Sequence, residues 1–298
     1  MVAAVEIPGY VLGAPLGAGA FGQVYRAHHT RMGREVAIKI LHPRYSANPV
    51  AVGRFLAEAR TVAGISHPNI VEVYDFGALA DGRQFCVMEL LEGTTLRDLM
   101  RGRGRIPLDE ALPLLHAIAA AIDAAHAAGV AHRDLKPENV FVSARGKIKL
   151  IDFGLAKLSG DAAAPVTETG TFLGTPLYMS PEQCRGRAEL GTDLYSFGAM
   201  TFHLLTGEPP FKGSAIELAL QHLDAVPPVA SRVLPAIPAR VDRVLAALLD
   251  KDPARRPSPL SAVVATLADA PRPGRARGWL LLVGVVMAVM AAILLLAR

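Results

Sequence analysis

The sequence predicts an α+β chain in two lobes, a small β-rich one followed by a larger helical one, with a transmembrane helix at its C-terminal end. Three observations carry this. Residues 10–92 are dense in short alternating or β-branched runs. From Asp109 onward, apolar residues recur at spacings of three and four. Trp279 to Ala297 reads WLLLVGVVMAVMAAILLLA, 19 residues without a charge, Pro or Asn. Strands first and helices after is the segregated α+β pattern. With 51% hydrophobic and 19% charged residues, the chain is not a disordered one. Its two cysteines, Cys86 and Cys184, with no CxxC pair, exclude a disulfide scaffold or a cysteine zinc site.

The elements follow in order. Strand runs occur at Val24–His28, Glu35–Leu41, Ile70–Phe76 and Gln84–Glu89, with a turn signal at Arg31–Arg34. One helix interrupts them at Val52–Ile65, placing Phe55, Val62 and Ile65 on one face. A long helix is marked by Leu112, Leu115, Ala119, Ile122 and His126, despite Pro113 near its start. Further helical patterns lie near Thr192–Leu205, Ala215–Leu223, Ala239–Leu249 and Leu260–Ala268. The texture changes near Leu91–Thr95, which divides a soluble domain of residues 10–268 into lobes of 10–91 and 92–268. Ligand sites favour such interfaces.

Residues 269–278 form a Pro/Gly/Arg linker, and the apolar run 279–297 is the expected transmembrane helix. A helix of that length spans roughly 28 Å, close to a bilayer's hydrocarbon core. Its apolar residues lie all round, which argues against a surface amphipathic segment; a buried core helix is the competing reading. Arg272, Arg275 and Arg277 precede the run and only Arg298 follows it, so the domain is expected on the cytoplasmic face of the plasma (inner) membrane. The same arginines settle the charge. The chain has 31 Lys+Arg against 27 Asp+Glu, and residues 270–298 hold four Arg and no acid. The body is therefore neutral, and no basic face for nucleic acid is implied.

Chemistry begins at Gly17-Ala18-Gly19-Ala20-Phe21-Gly22. A GxGxxG match alone is weak, and a dinucleotide-binding turn is its competitor. That motif must open a helix, whereas QVYRAHHTRMGREVAIKIL reads as strand, turn, strand. Glycines bending a hairpin let backbone N–H groups lie over phosphates without a Cβ in the way. Lys39 follows on the second strand, and Glu58 on the predicted helix is placed to pair with it.

At His132-Arg133-Asp134-Leu135-Lys136-Pro137-Glu138-Asn139, with Asp152-Phe153-Gly154 and Ser180-Pro181-Glu182, the chain resembles the eukaryotic-like (Hanks-type) serine/threonine protein kinases. The order of glycine loop, strand Lys, helix Glu, catalytic loop, DFG and APE-like element matches over Tyr10–Ala268. A span directly after the domain is similar to the bacterial membrane-anchored members.

The resemblance implies the two-lobed protein kinase fold and assigns roles. The glycine loop (Gly17, Gly19, Gly22) would cover the triphosphate of ATP. Lys39 would hold the α- and β-phosphates, oriented by Glu58. Asp134 would accept the substrate hydroxyl proton, and Lys136 would neutralise the moving γ-phosphoryl group. Asn139 and Asp152 offer hard oxygen ligands for Mg²⁺. Leu16, Val24 and Ala37 would roof the adenine and Phe141 floor it, with Met88 as gatekeeper and the backbone of Glu89 and Leu91 as hinge. The segment between Asp152 and Glu182 would be the activation segment, with Thr167, Thr169 and Thr171 as phosphorylation sites and Arg133 as the phosphate's partner. Thr175 in GTPLYMSPE matches the Ser/Thr-specific substrate loop and is expected to contact Asp134 and Lys136.

The resemblance further implies a buried Glu182–Arg256 ion pair and an Asp193 bonded to the catalytic-loop backbone. Ser180 replaces the Ala of APE, and Tyr195 stands where many eukaryotic members have Trp. Of the nine histidines only His132 is given a role, packed under Phe153; His28, His29, His42, His67 and His126 lack metal-ligand spacing. The expected partners are proteins bearing Ser or Thr, the membrane, and a second copy of the chain in a homodimer for autophosphorylation. A pseudokinase scaffold is the rival function, and a small-molecule phosphotransferase the third. Lys39, Glu58, Asp134, Asn139 and Asp152 are all present, which favours catalysis.

Overall fold

The computed structural model describes residues 6–19, 21–153 and 176–268, apart from the side chains of residues 54 and 58. The linker, the expected membrane helix and Thr167, Thr169, Thr171 and Thr175 lie outside the described residues. Among the described residues no helix is long and apolar enough to cross a membrane.

The small lobe is a five-stranded antiparallel sheet in the order β1-β2-β3-β5-β4. Its strands are β1 (Tyr10–Ala18), β2 (Gly22–His29), β3 (Arg34–Leu41), β4 (Val73–Ala78) and β5 (Gln84–Glu89). The central strand β3 is buried from Val36 onward, Lys39 included, and Val36 and Ile38 are fully buried. Between β3 and β4 the chain makes two helices, α1 (Pro43–Ser46) and α2 (Pro49–Ala63). Asn48 caps α2, accepting from the backbone N–H groups of Val50 and Ala51, and Pro49 occupies the first turn where no N–H is needed. The predicted strand at Ile70 begins later, at Val73; Ile70 itself makes only an isolated parallel bridge to Leu150.

After β5 the chain crosses into the large lobe and pairs differently. β6 (Gly93–Thr95) joins β7 (Val140–Ser143) and β8 (Ile148–Leu150) in a three-stranded sheet. Gly93 has φ 149°, and a Cβ there would lie 2.2 Å from the Val142 carbonyl oxygen, so no other residue fits the crossing. The helices are α3 (Leu96–Arg103), α4 (Leu108–Ala127), α5 (Pro181–Cys184), α6 (Leu190–Thr206), α7 (Ala215–Asp224), α8 (Ala230–Val233), α9 (Ala239–Leu248) and α10 (Leu260–Ala265). α4 buries Leu115, Ala119 and Ile122, the stripe its sequence predicts, and runs unbroken through Pro113. α6 is buried on nearly every side, its polar Thr192, Asp193, Ser196 and Thr201 included.

Candidate active site between the lobes

Three elements deliver the chemistry. β3 carries Lys39; the turn after α4, running into a 3₁₀ turn at Pro137–Asn139, carries Asp134, Lys136 and Asn139; the chain leaving β8 carries Asp152. Lys39 is nearly buried, and its Nζ donates to Asp152 Oδ1 at 2.7 Å. Lys136 Nζ donates to both Asp134 carboxylate oxygens, at 3.0 and 2.7 Å, and both side chains are about one-third exposed, at 34%. Asn139 Nδ2 donates to the Asp134 backbone carbonyl at 2.8 Å and to Asp134 Oδ2 at 3.0 Å. Asp134 is thus an accessible carboxylate held from two sides.

The expected Lys39–Glu58 pairing falls on a side chain outside those described; Glu58 lies in α2. Lys39's contact with Asp152 joins residues 113 positions apart, and no spacing in the sequence signals it. Opposite Lys39 in the β3–β5 register is Cys86, whose thiol burial pushes up to about 12, so it stays neutral beside the ammonium.

Asn139 and Asp152 fit a magnesium ion. With Nδ2 engaged by Asp134, Asn139 offers its amide oxygen, and Asp152 has Oδ2 beyond the oxygen given to Lys39. Two oxygen donors are few for a protein-only site and suit a cation that keeps water and phosphate ligands.

Backbone strain marks the same place. Arg133 at φ 64° and Asp152 at φ 60° are the non-glycine residues with positive φ among the described residues. Such conformations cost on the order of 1–3 kcal/mol and persist only where the surroundings impose them. At Arg133 the surroundings are visible. Asp193 of α6, fully buried, accepts from the His132 and Arg133 backbone N–H groups, each at 2.7 Å, and from His126 Nε2 at 2.7 Å. His132 lies against Phe153 with ring centroids 4.5 Å apart and meets the Ile151 carbonyl at 3.0 Å.

The nucleotide side is built from strands. Val24 faces Gly17 across one ladder and Lys39 across the next, and Ala37 faces Met88. Leu16 is half-exposed at 50%. Glu89 gives its N–H to the Glu72 carbonyl at 3.0 Å, so its own carbonyl is the backbone group it can offer at the hinge. Leu91 follows β5, and Phe141 sits in β7 beside Thr95. Gly17 and Gly19 would meet no protein atom closer than 3.9 Å with an added Cβ, so the protein itself does not demand glycine there. A small cavity of about 50 Å³ lies behind, lined by Lys39, Phe55, Met88, Asp152 and Phe153 among others. A larger groove of about 330 Å³, between Leu108, Leu112, Leu205, Leu234 and Ile237, contains none of these groups. Chemistry, not size, locates the site.

Below it the large lobe is tied together. Arg256 grips Glu182 with two parallel bonds of 2.6 and 2.9 Å and also reaches the Gly191 and Asp250 carbonyls. Burial alone would raise the Glu182 carboxyl, but the guanidinium overrides it and holds the group below the usual carboxylate range.

Reserving a role for His132 alone proves wrong. His126 supports Asp193; His203 Nδ1 meets the Tyr178 hydroxyl at 2.7 Å; His222 Nδ1 meets the Tyr195 hydroxyl at 3.0 Å. Each partner lies on a distant stretch of chain, so a search for metal-ligand spacing could not find it.

Comparison with known proteins agrees with this geometry. The family described as "Protein kinase domain" matches residues 10–267. The serine/threonine-protein kinase PknL of Mycobacterium tuberculosis is 43% identical over 250 residues, covering 83% of this chain and 62% of that protein. PknA of the same organism is 38% identical over 275 residues, covering 89% and 63%. The chain thus spans less than two-thirds of the length of these relatives. Among solved structures, the kinase domain of M. tuberculosis PknI superposes with a TM-score of 0.72 at 28% identity, covering 90% of this chain and 98% of that one. The chain belongs to the protein kinase family, as a serine/threonine protein kinase domain of the Hanks type found in bacteria.

Proposed function

We propose that this chain is a membrane-anchored kinase that moves the γ-phosphoryl group of ATP to Ser and Thr hydroxyls of proteins, its own activation segment included. The observation that carries the proposal is the Asp134 carboxylate, exposed enough to meet a hydroxyl and held by Lys136 and Asn139. Asp134 takes the hydroxyl proton as the new oxygen–phosphorus bond forms and the bond to the β-phosphate oxygen breaks, releasing ADP. Lys136, 2.7 Å from that carboxylate, would neutralise charge on the transferring group. Lys39 would hold the α- and β-phosphates, and its bond to Asp152 would tie them to a residue that would hold the metal. Magnesium bound by Asn139 and Asp152 would supply charge neutralisation of the phosphate oxygens. Thr175 is the proposed contact for the substrate side, and Thr167, Thr169 and Thr171 are the proposed phosphate acceptors within the chain. The apolar run 279–297, with Arg272, Arg275 and Arg277 before it, supports a single span with the kinase domain on the cytoplasmic face. A homodimer would serve autophosphorylation in trans.

The test uses the full chain, purified in detergent, with labelled ATP, Mg²⁺ and a Ser/Thr-bearing protein substrate, beside Asp134→Ala. Loss of a general base is expected to lower turnover by roughly 10²–10⁴-fold. Equal incorporation of label by the two proteins would sink the assignment.

A further inference from the structure

The glycine loop is fastened to the rest of the small lobe at Gly19 and Phe21, by His42 and Tyr45, which lie outside the glycine motif. The loop first closes on itself, with the Gly19 N–H donating to the Gly22 carbonyl at 2.8 Å. His42, directly after β3, then holds it twice. Its backbone N–H donates to the Phe21 carbonyl at 2.9 Å, and its Nε2 lies 3.1 Å from the Gly19 carbonyl. A carbonyl can only accept, so Nε2 carries the proton in this contact. One short turn on, Tyr45 of α1 meets the Phe21 ring with centroids 5.3 Å apart at 50°, a tilted aromatic pair. The Arg44 guanidinium lies 4.7 Å from the Tyr45 ring centroid.

Tyr45 is buried, and its neighbours explain why this matters. It belongs to a small apolar cluster with Leu41, Ala51, Phe55 and Cys86, against which Phe21 and Met88 pack. Ala51 and Phe55 belong to α2, the helix that carries Glu58. One packed cluster therefore runs from the tip of the phosphate-covering loop to that helix and to the back of the nucleotide site. A shift of the loop tip must displace the Tyr45 ring or open a gap in this cluster, and either costs free energy in a close-packed region.

We propose that His42 and Tyr45 are positioning residues for the nucleotide: by holding Gly19 and Phe21 they set where these parts of the glycine loop sit and link them to α2. This rests on the kinase reading above, so binding is measured separately from transfer. In the full chain, His42→Ala and Tyr45→Ala are each expected to weaken binding of ADP with Mg²⁺ by calorimetry, and to raise KM for ATP, by roughly 3–10-fold; this is the scale of one lost hydrogen bond or aromatic pair. KM for the protein substrate should stay within about twofold, on the same scale of a small free-energy change. Tyr45→Phe keeps the ring and should restore wild-type binding. His42→Gln keeps a side-chain donor and should recover part of it. The double variant Phe21→Ala with Tyr45→Ala should lose less than the product of the two single losses, because both remove one contact.

Wild-type ADP affinity in a folded Tyr45→Ala and a folded His42→Ala would overturn the proposal. So would a Tyr45→Ala variant in which turnover and both KM values move together with a lowered melting temperature, which is the mark of general destabilisation. A wild-type chain that binds ADP tightly yet transfers no phosphate would sink the catalytic reading and leave this one standing.

Discussion

The two sides of the active site are held in opposite ways. On the acceptor side, Asp193 gathers two backbone N–H groups and an imidazole while fully buried, and Arg256 closes on Glu182 with two bonds in an equally dry place. On the nucleotide side, β1 is mostly exposed, its ladder with β2 slips twice, and the loop tip hangs on His42 and one aromatic contact. Buried charge-assisted bonds resist deformation, whereas exposed neutral ones give way for about 1 kcal/mol each. The difference suits the task. In the proposed function Asp134 would keep one position to aim a hydroxyl, while the loop over the phosphates would open to exchange ADP for ATP.

The firm side breaks hardest at Arg256. Arg256→Ala would leave the Glu182 carboxylate buried without its counter-ion, and is expected to lower unfolding free energy by about 3–5 kcal/mol in urea titrations. Arg256→Met combined with Glu182→Leu should recover much of that loss, since neither charge then remains. A single variant that loses less than about 1 kcal/mol would place the pair among weak surface bridges and erase the contrast.

A second way to probe the firm side is acid. His222 has no exposed surface, and its ring lies edge-on to Phe211 at 5.0 Å and Tyr195 at 5.6 Å. Burial first, and the nearby Lys251 ammonium next, push its pKa down to about 4. Between pH 6.5 and 4 the unfolded chain therefore binds a proton there that the native state refuses. Stability rises with pH in that window and is lost as pH falls through it, by on the order of 3 kcal/mol at full extent. Glu182, held below its usual value, acts in the same sense below about pH 4.5. His222→Gln should flatten the fall in melting temperature between pH 7 and 4.5, and His203, lowered by burial, should account for part of the remainder. An unchanged slope in His222→Gln would mean that the ring is charged in the fold.

The same contrast governs what could be read from the sequence. The firm side was legible in its parts. α4 buries a whole stripe, so its periodicity is strong, and α6 is read from the length of its largely apolar run. The resemblance supplied Asp193, Glu182 and Arg256 and the bonds expected of them. What stayed hidden there were the partners of His126, His203 and His222, because each contact is made by folding and not by spacing. The β6–β7–β8 sheet also went unread, since strands of three or four residues are too short to show alternation. On the soft side, β1 left no signal. Gly13 and Pro15 interrupt YVLGAPLGA, and with most of its residues exposed on both faces there is no apolar alternation to detect. The glycine loop was recognisable by its residues, yet the sequence could not say that His42 and Tyr45 hold it.

The glycines of that loop offer the finest division between the two sides, because they differ in what surrounds them. A Cβ on Gly22 would sit 2.2 Å from the Ile40 carbonyl oxygen, in the ladder where Gly22 faces Leu41, two residues beyond Lys39. Backbone must move to admit it. Gly22→Ala is therefore expected to cost about 1–3 kcal/mol of stability and to disturb Lys39 as well as the phosphates. A Cβ on Gly17 meets nothing within 4 Å. Gly17→Ala should leave unfolding within about 0.5 kcal/mol of the wild type, as for a substitution with no packing consequence. Its effect should fall on KM for ATP alone, because the open space above Gly17 is where a phosphate would need the backbone to come close. Chemical denaturation and a KM determination on the pair of variants decide the matter. If Gly17→Ala unfolds as easily as Gly22→Ala, the loop is structural throughout, and the soft side of the site is no softer than the other.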